Sequence, residues 1–210
     1  MKMENLNFED ACGFISAGEN IKFVDYEHKT EEKSIDIRVV DLKIPSLIQY
    51  ICGVRKIAKP VYEKYCQTIA FSFPSADYFI PMYAIGFKND KGGWEVRNET
   101  YKVASSPKWF TTIGEDTDKV NVFEGFINFL SALTYFGKTS FKNRTFVLNG
   151  TGQISNLLPL LQGKQVMYFG DNDNAGNKVL VKMKQNGIQT TDCRGLFEWH
   201  SDFNEFLMSI

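Results

Sequence analysis

The chain is poor in the residues that build the commonest metal and disulfide sites. Histidine occurs twice, at His28 and His200. The four cysteines, Cys12, Cys52, Cys66 and Cys193, form no CxxC pair. A zinc site of the usual spacing is therefore absent, and the scattered spacing gives no sign of a disulfide framework; reduced, buried thiols in the cytoplasm are the expectation. No apolar run approaches the length of a membrane span, and the acidic start MKMENLNFEDACGF does not resemble a secretion signal, so no membrane association is expected. Charge of one sign is missing as well. With 24 Lys+Arg against 25 Asp+Glu the net charge is -1, which excludes nucleic-acid binding by bulk positive charge but leaves local basic patches or contact through a metal open.

What is abundant is phenylalanine, 18 in 210 residues, so aromatic burial is expected to carry much of the core. The length suits one large domain or two small ones. The first 45 residues carry few signals. A helix over Asn7 to Ala17 and a strand within Lys33 to Ile44 are expected. SLIQYICGVRKIAKPVYEKYC has apolar residues at helical spacing and predicts two short helices with a turn at Cys52-Gly53. QTIAFSF, YFIPMYAIGFKN and GGWEVRNETYKV then predict antiparallel strands, with a hairpin turn over Asn89-Asp90-Lys91-Gly92-Gly93. Residues 103 to 118 are polar and predict a connector.

From Lys119 strand and helix alternate. VNVFEG, RTFVLNG, QVMYFGDND and IQTTDC predict four strands, separated by FINFLSALTYFG, TGQISNLLPLLQG and NAGNKVLVKMKQNG as helices. That order predicts a Rossmann-like parallel sheet of about four strands with flanking helices. Functional residues of such sheets gather at the carboxyl ends of the strands. Glu124 ends the first strand, and Asp171 and Asp173 end the third. Clustered carboxylates repel unless a proton or cation separates them, and hard oxygens suit Mg²⁺ or Mn²⁺. Asp173 also stands where it could simply cap the helix that begins at Asn174.

At VFEGFINFLSAL and YFGDNDNAGNK the sequence resembles the Toprim family, known from bacterial primases, topoisomerases and certain nucleases. The resemblance covers about residues 119 to 210. Upstream, LIQYICGVRKIAKPVYEKYC and YFIPMYAIGFKNDKGGWEVRNETYKVASSPKWFTTIG are similar to primase-like Toprim proteins of bacterial mobile elements, and HSDFNEFL resembles their closing element. The resemblance implies an α+β N-terminal region over residues 1–116, with antiparallel strands, followed by a Toprim domain over 117–210. It implies Glu124, Asp171 and Asp173 as catalytic residues, with Glu124 either a general acid or base or a metal ligand. Those three and Asn128 would hold the Mg²⁺ or Mn²⁺. It implies action on nucleotides and single-stranded DNA, with a helicase or relaxase as partner.

Among the remaining candidates, Gly125 and Gly176 would let phosphate approach the backbone. Arg97, Lys88 and Lys102, with Lys91, would face phosphate, as would Arg55, Lys56 and Lys59; a solvated charged face is the alternative for each group. Trp94 and Trp109 are either stacking platforms for bases or packing residues. Asp202 and Asn204 would close the edge of the site or merely cap the last helix. Three features depart from the primase pattern. Asn128 stands where an aspartate is usual, and Ser201 where a lysine is usual. No zinc-binding module is recognisable, which leaves a truncated chain, a remnant and one product of a split system as open readings. Primase-like nucleotidyl transfer, a Toprim-type nuclease and a non-catalytic binding module are the competing functions.

Overall fold

The computed structural model describes residues 35–73 and 80–210. The helix expected over Asn7 to Ala17 lies outside them, as do Cys12 and His28. Among the described residues no helix is long and apolar enough to cross a membrane.

Two five-stranded sheets organise this part of the chain. The first is antiparallel throughout, in the order β1 (Asp36–Val39), β2 (Gln67–Ser72), β3 (Met82–Lys88), β4 (Trp94–Arg97), β5 (Lys102–Ala104). The β3–β4 hairpin closes as its sequence predicts. Asn89 Oδ1 accepts from the backbone N–H groups of Lys91 (3.0 Å) and Gly93 (2.9 Å), an Asx-type turn.

The segment between β1 and β2 departs from expectation. Helix α1 (Pro45–Ile48) does not stop at Cys52-Gly53 but widens into a π-helical turn over Gln49–Val54. The chain breaks later, at Lys56 with φ 54°, before α2 (Lys59–Tyr65). Gly53 is tolerated because the widened turn keeps the backbone hydrogen-bonded: the Arg55 N–H donates to the Tyr50 carbonyl at 2.9 Å.

The second sheet has the order β10 (Gln189–Asp192), β9 (Gln165–Phe169), β7 (Lys119–Phe123), β8 (Arg144–Val147), β6 (Thr111–Ile113). Its first four strands are parallel, as the alternation of elements predicts. The fifth, β6, runs antiparallel along β8 and comes from the stretch expected to be a connector. Helices α3 (Phe126–Tyr135), α4 (Ile154–Leu161), α5 (Asn174–Gln185) and α6 (Phe203–Ser209) flank the sheet.

Burial follows the period-two alternation of the strands. Val120, Val122, Phe146, Val166 and Tyr168 face α4 and α5, where Leu157, Leu161, Val179 and Met183 cover them. Phe123, Val147 and Phe169 face the other way and join α3 and α6. Phenylalanine dominates that second layer. The Phe123 and Phe169 rings stack at 4.7 Å, and Phe129 and Phe203 pack around them. The same layer accepts one face of the antiparallel sheet through Ile85 and Phe87, with the Phe87 ring stacked on Phe126 at 5.2 Å. This contact lays the antiparallel sheet over the start of α3, beside the carboxyl ends of the parallel strands.

Candidate metal and phosphate site

The central position of β7 brings two of the three predicted acids, Glu124 and Asp171, together. Phe123 is in register with Val147 on β8 and with Phe169 on β9, so three strands end at one level. Glu124 follows directly on β7, Asn149 lies just past β8, and Asp171 just past β9. These ends form the floor of a cavity of about 230 Å³. Gly125, Asn128 and Asp202 also line it.

The antiparallel sheet supplies the opposite wall. Glu95 and Arg97 share one face of β4 with Lys102 of β5, which is paired with Arg97. All three line the cavity, and Arg55 joins them from the end of the π-helical turn. Four carboxylates (Glu95, Glu124, Asp171, Asp202) and three cations (Arg55, Arg97, Lys102) therefore share one small space.

Burial and repulsion decide the charge state of the acids. Asp171 is pushed up to about 7, first by loss of water and then by the negative charges of Glu124, Asp202 and Asp173. Glu124 is raised as well, by burial, although the Asp171 N–H donates to its Oε2 at 3.3 Å and opposes the rise. Glu95 is pushed up to about 7 by burial, with Arg97 and Lys102 pulling against it. Burial also disfavours the charge on Arg97 and leaves its Nε without a hydrogen-bond partner. Asn149 Oδ1 is likewise buried and unpartnered, on a residue with φ 57°. Its Nδ2 is committed to the Trp109 carbonyl (3.1 Å) and Thr111 Oγ1 (2.9 Å), which fixes the direction of the oxygen.

Other predicted residues take different positions. Asp173 caps α5, its Oδ1 accepting from the Gly176 N–H at 2.7 Å, and it lines a separate groove with Thr151, Gly152 and Lys178. Gly176 is packed rather than open: a Cβ there would collide with the Asp171 carbonyl. Gly125 differs, since a Cβ at that position meets nothing. Lys88 pairs with Trp94 and so points to the far face of the sheet, where its ammonium lies 5.5 Å from the Trp94 ring centroid. Trp94 belongs to the core on that face, and Trp109 stacks on Phe110 at 5.0 Å; both are packing residues in this structure. Asn204 is completely buried behind the cavity. Lys56 bonds the Ile210 carbonyl at 2.9 Å, and Lys59 pairs with Glu63.

Sequence reasoning passed over Arg194 and Asn172. The Arg194 guanidinium grips the Asp192 carboxylate through Nε (2.9 Å) and Nη2 (2.7 Å), and its Nη1 donates to the Asp171 carbonyl (3.2 Å) and Asn177 Oδ1 (2.8 Å). Asn172 Nδ2 donates to the carbonyls of Phe197 (3.0 Å) and His200 (2.8 Å), which ties down the loop leading to Asp202. Asn172 has no local signal, because its partners are assembled only by the fold; Asp192 is a near neighbour of Arg194 in sequence, but the Asp171 and Asn177 contacts are made only by the fold.

Among the described residues no three histidine, cysteine or carboxylate groups converge tightly enough to form a ready-made metal cage. The oxygens of Glu124 and Asp171 nonetheless fit a divalent cation that keeps several waters and shares phosphate oxygens with a substrate, since Mg²⁺ is commonly bound by one or two carboxylates.

A mixed α/β chain with a central parallel sheet and acids at its strand ends is the class defined by this geometry. Residues 121–207 match the family described as Toprim-like, so the chain carries a Toprim-like domain. Residues 36–106, which span the antiparallel sheet, match a domain of unknown function (DUF8464). No curated protein matches the chain. Among solved structures, the primase fragment of the bacteriophage T7 primase-helicase protein shares the fold. Its TM-score is 0.51 at 16% identity, over 75% of this chain and 67% of that one. A second T7 structure is a lagging-strand DNA polymerase interacting with primase domains of two gp4 subunits bound to an RNA/DNA hybrid and dTTP. It aligns with a TM-score of 0.42 at 14% identity, over 71% of this chain and 75% of that one.

Proposed function

We propose that the chain is a primase-like Toprim protein that acts on DNA and nucleotides with Mg²⁺ or Mn²⁺, in replication or mobilisation of a bacterial mobile element. The observation that carries this reading is the shared cavity: carboxylates on the edge of the parallel sheet face arginines and a lysine of the antiparallel sheet. Glu124 and Asp171 would hold the cation, with Asp202 at the rim. Arg55, Arg97 and Lys102 would take the phosphates of a nucleotide or strand. The cation, when bound, supplies neutralisation of phosphate charge and polarisation of an attacking oxygen.

Nucleotidyl transfer joins a hydroxyl oxygen to the α-phosphorus of a triphosphate and releases pyrophosphate. The hydroxyl proton needs an acceptor, and Glu124 is the best placed, being raised by burial yet steadied by the Asp171 N–H. A helicase or relaxase partner and a cytoplasmic setting belong to the same proposal. The fold shared with a primase-helicase fragment supports it.

Two observations favour a second reading, a module that binds single-stranded DNA without chemistry. Asn128, where the family resemblance implies an acid, is an amide that donates to Asp171, and Asp173 is spent on a helix cap. Incubation with single-stranded template, nucleotides and Mg²⁺ or Mn²⁺ separates the readings. Template-dependent oligomers that disappear with Glu124→Gln support transfer. A shortened template instead identifies a nuclease. Strand binding that is insensitive to EDTA, with no product, leaves the binding module.

A further inference from the structure

We infer that Asn128 is a positioning residue and not a cation ligand, and that the cavity consequently takes one divalent ion rather than two. The inference rests on the Toprim-like reading of the cavity and concerns how that site is filled.

The direction of the Asn128 amide is fixed by its neighbours. Its oxygen accepts from the Asn204 backbone N–H at 3.3 Å, a group that can only donate. Its Nδ2 therefore faces Asp171 and donates to Oδ1 at 2.7 Å. Reversing the amide would set oxygen against a carboxylate oxygen and N–H against N–H. The only side-chain atom of residue 128 able to bind a cation is thus turned away from Asp171 and already bonded.

Asn204 holds this arrangement in place. It is completely buried. Its Oδ1 accepts from Arg55 Nη1 at 3.0 Å, and its Nδ2 donates to the Arg55 carbonyl and Ser131 Oγ, each at 2.9 Å. Asn204 therefore links a cation on the cavity wall to the carboxylate on its floor, through its side chain to Arg55 and through its backbone N–H to Asn128. Networks behind a metal site orient its ligands in this manner.

Stoichiometry follows from the charges that remain. Asp171 Oδ1 carries a donor, and the Asp173 carboxylate caps α5. Asp202 likewise spends an oxygen on a cap, that of α6, where it accepts from the Glu205 N–H at 2.7 Å. Glu124 and the free oxygen of Asp171 are left, enough for one hydrated ion bridging to phosphate. An acid at position 128 would instead place two carboxylate oxygens side by side, a pair that demands a proton or a second cation.

Titration of Mn²⁺ into the full chain, followed by calorimetry and by the electron paramagnetic resonance of bound Mn²⁺, tests this. The wild type should bind one Mn²⁺ per chain with the spectrum of an isolated ion. Asn128→Asp should bind two, with the broadened spectrum of neighbouring ions. Asn128→Ala should keep one but bind it about tenfold more weakly, as loss of an orienting partner does. Two ions in the wild type, one in a folded Asn128→Asp, or unchanged affinity in Asn128→Ala would each overturn the inference while leaving the cation site standing. Absence of any Mn²⁺ binding to the wild type would overturn both.

Discussion

Replacing Asp171 by asparagine should stabilise the cation-free protein at neutral and alkaline pH, an unusual outcome for a half-buried polar residue. The wild-type carboxyl is pushed from 3.8 up to about 7 by burial and by Glu124, Asp202 and Asp173. A raised carboxyl binds more protons in the native state than in the unfolded one between those two values. Stability therefore falls as pH rises through that window. The penalty is absent below about pH 4 and complete above about pH 7. Taken at face value the shift amounts to ~4 kcal/mol at about 1.4 kcal/mol per tenfold change in proton affinity. Asp171 is only partly buried, so screening by water reduces this to ~2 kcal/mol. The asparagine oxygen still accepts from Asn128 Nδ2, so the hydrogen bond survives. Urea denaturation in EDTA at pH 5 and pH 8 measures the effect. Asp171→Asn should exceed the wild type by ~2 kcal/mol at pH 8 and by much less at pH 5. Excess Mg²⁺ should raise the wild type, by ~2.7 kcal/mol at a hundredfold excess over Kd, and leave the variant unmoved. A variant less stable than the wild type at pH 8 would refute the reasoning, because it would make the ionised Asp171 a favourable partner in the native state.

Other perturbations have equally definite outcomes. Gly176→Ala should cost ~1–3 kcal/mol in thermal or urea unfolding, because the added methyl meets the Asp171 carbonyl, and should weaken Mn²⁺ binding by moving that strand end. Phe87→Ala removes a ring stacked on Phe126 and should cost ~3–5 kcal/mol by denaturation. Arg194→Lys keeps the charge but loses the two-pronged grip on Asp192; a loss of ~2 kcal/mol and weaker Mn²⁺ binding are expected, read by unfolding and calorimetry.

Much of the fold could be taken from local pattern. Strands β7, β8 and β9 and the helices between and after them announce themselves by apolar period and a closing turn, and the positions of Glu124 and Asp171 follow from where those strands end. Strand β6 escaped because three residues, Thr111–Ile113, on a sheet edge carry too little alternation to register against a polar surround. The π-helical turn escaped because Gly53 signals a break in any helix tighter than the one formed.

At the site, residue type alone left a choice that only three dimensions make. Asp171 and Asp173 are two residues apart, yet one lines the cavity and the other caps a helix. Lys88 and Arg97 are both basic strand residues, but pairing of Lys88 with Trp94 sends it to the opposite face. The Arg55–Asn204 bond joins residues 149 apart in sequence, which no spacing rule can anticipate.

The most direct test of the account is nucleoside triphosphate binding with and without cation. One cavity is held to bind cation through Glu124 and phosphate through Arg97. Binding should therefore require Mg²⁺ or Mn²⁺ and should fall at least tenfold in both Glu124→Gln and Arg97→Ala, with folding of each variant confirmed by circular dichroism. Cation-independent binding that neither substitution weakens would contradict it.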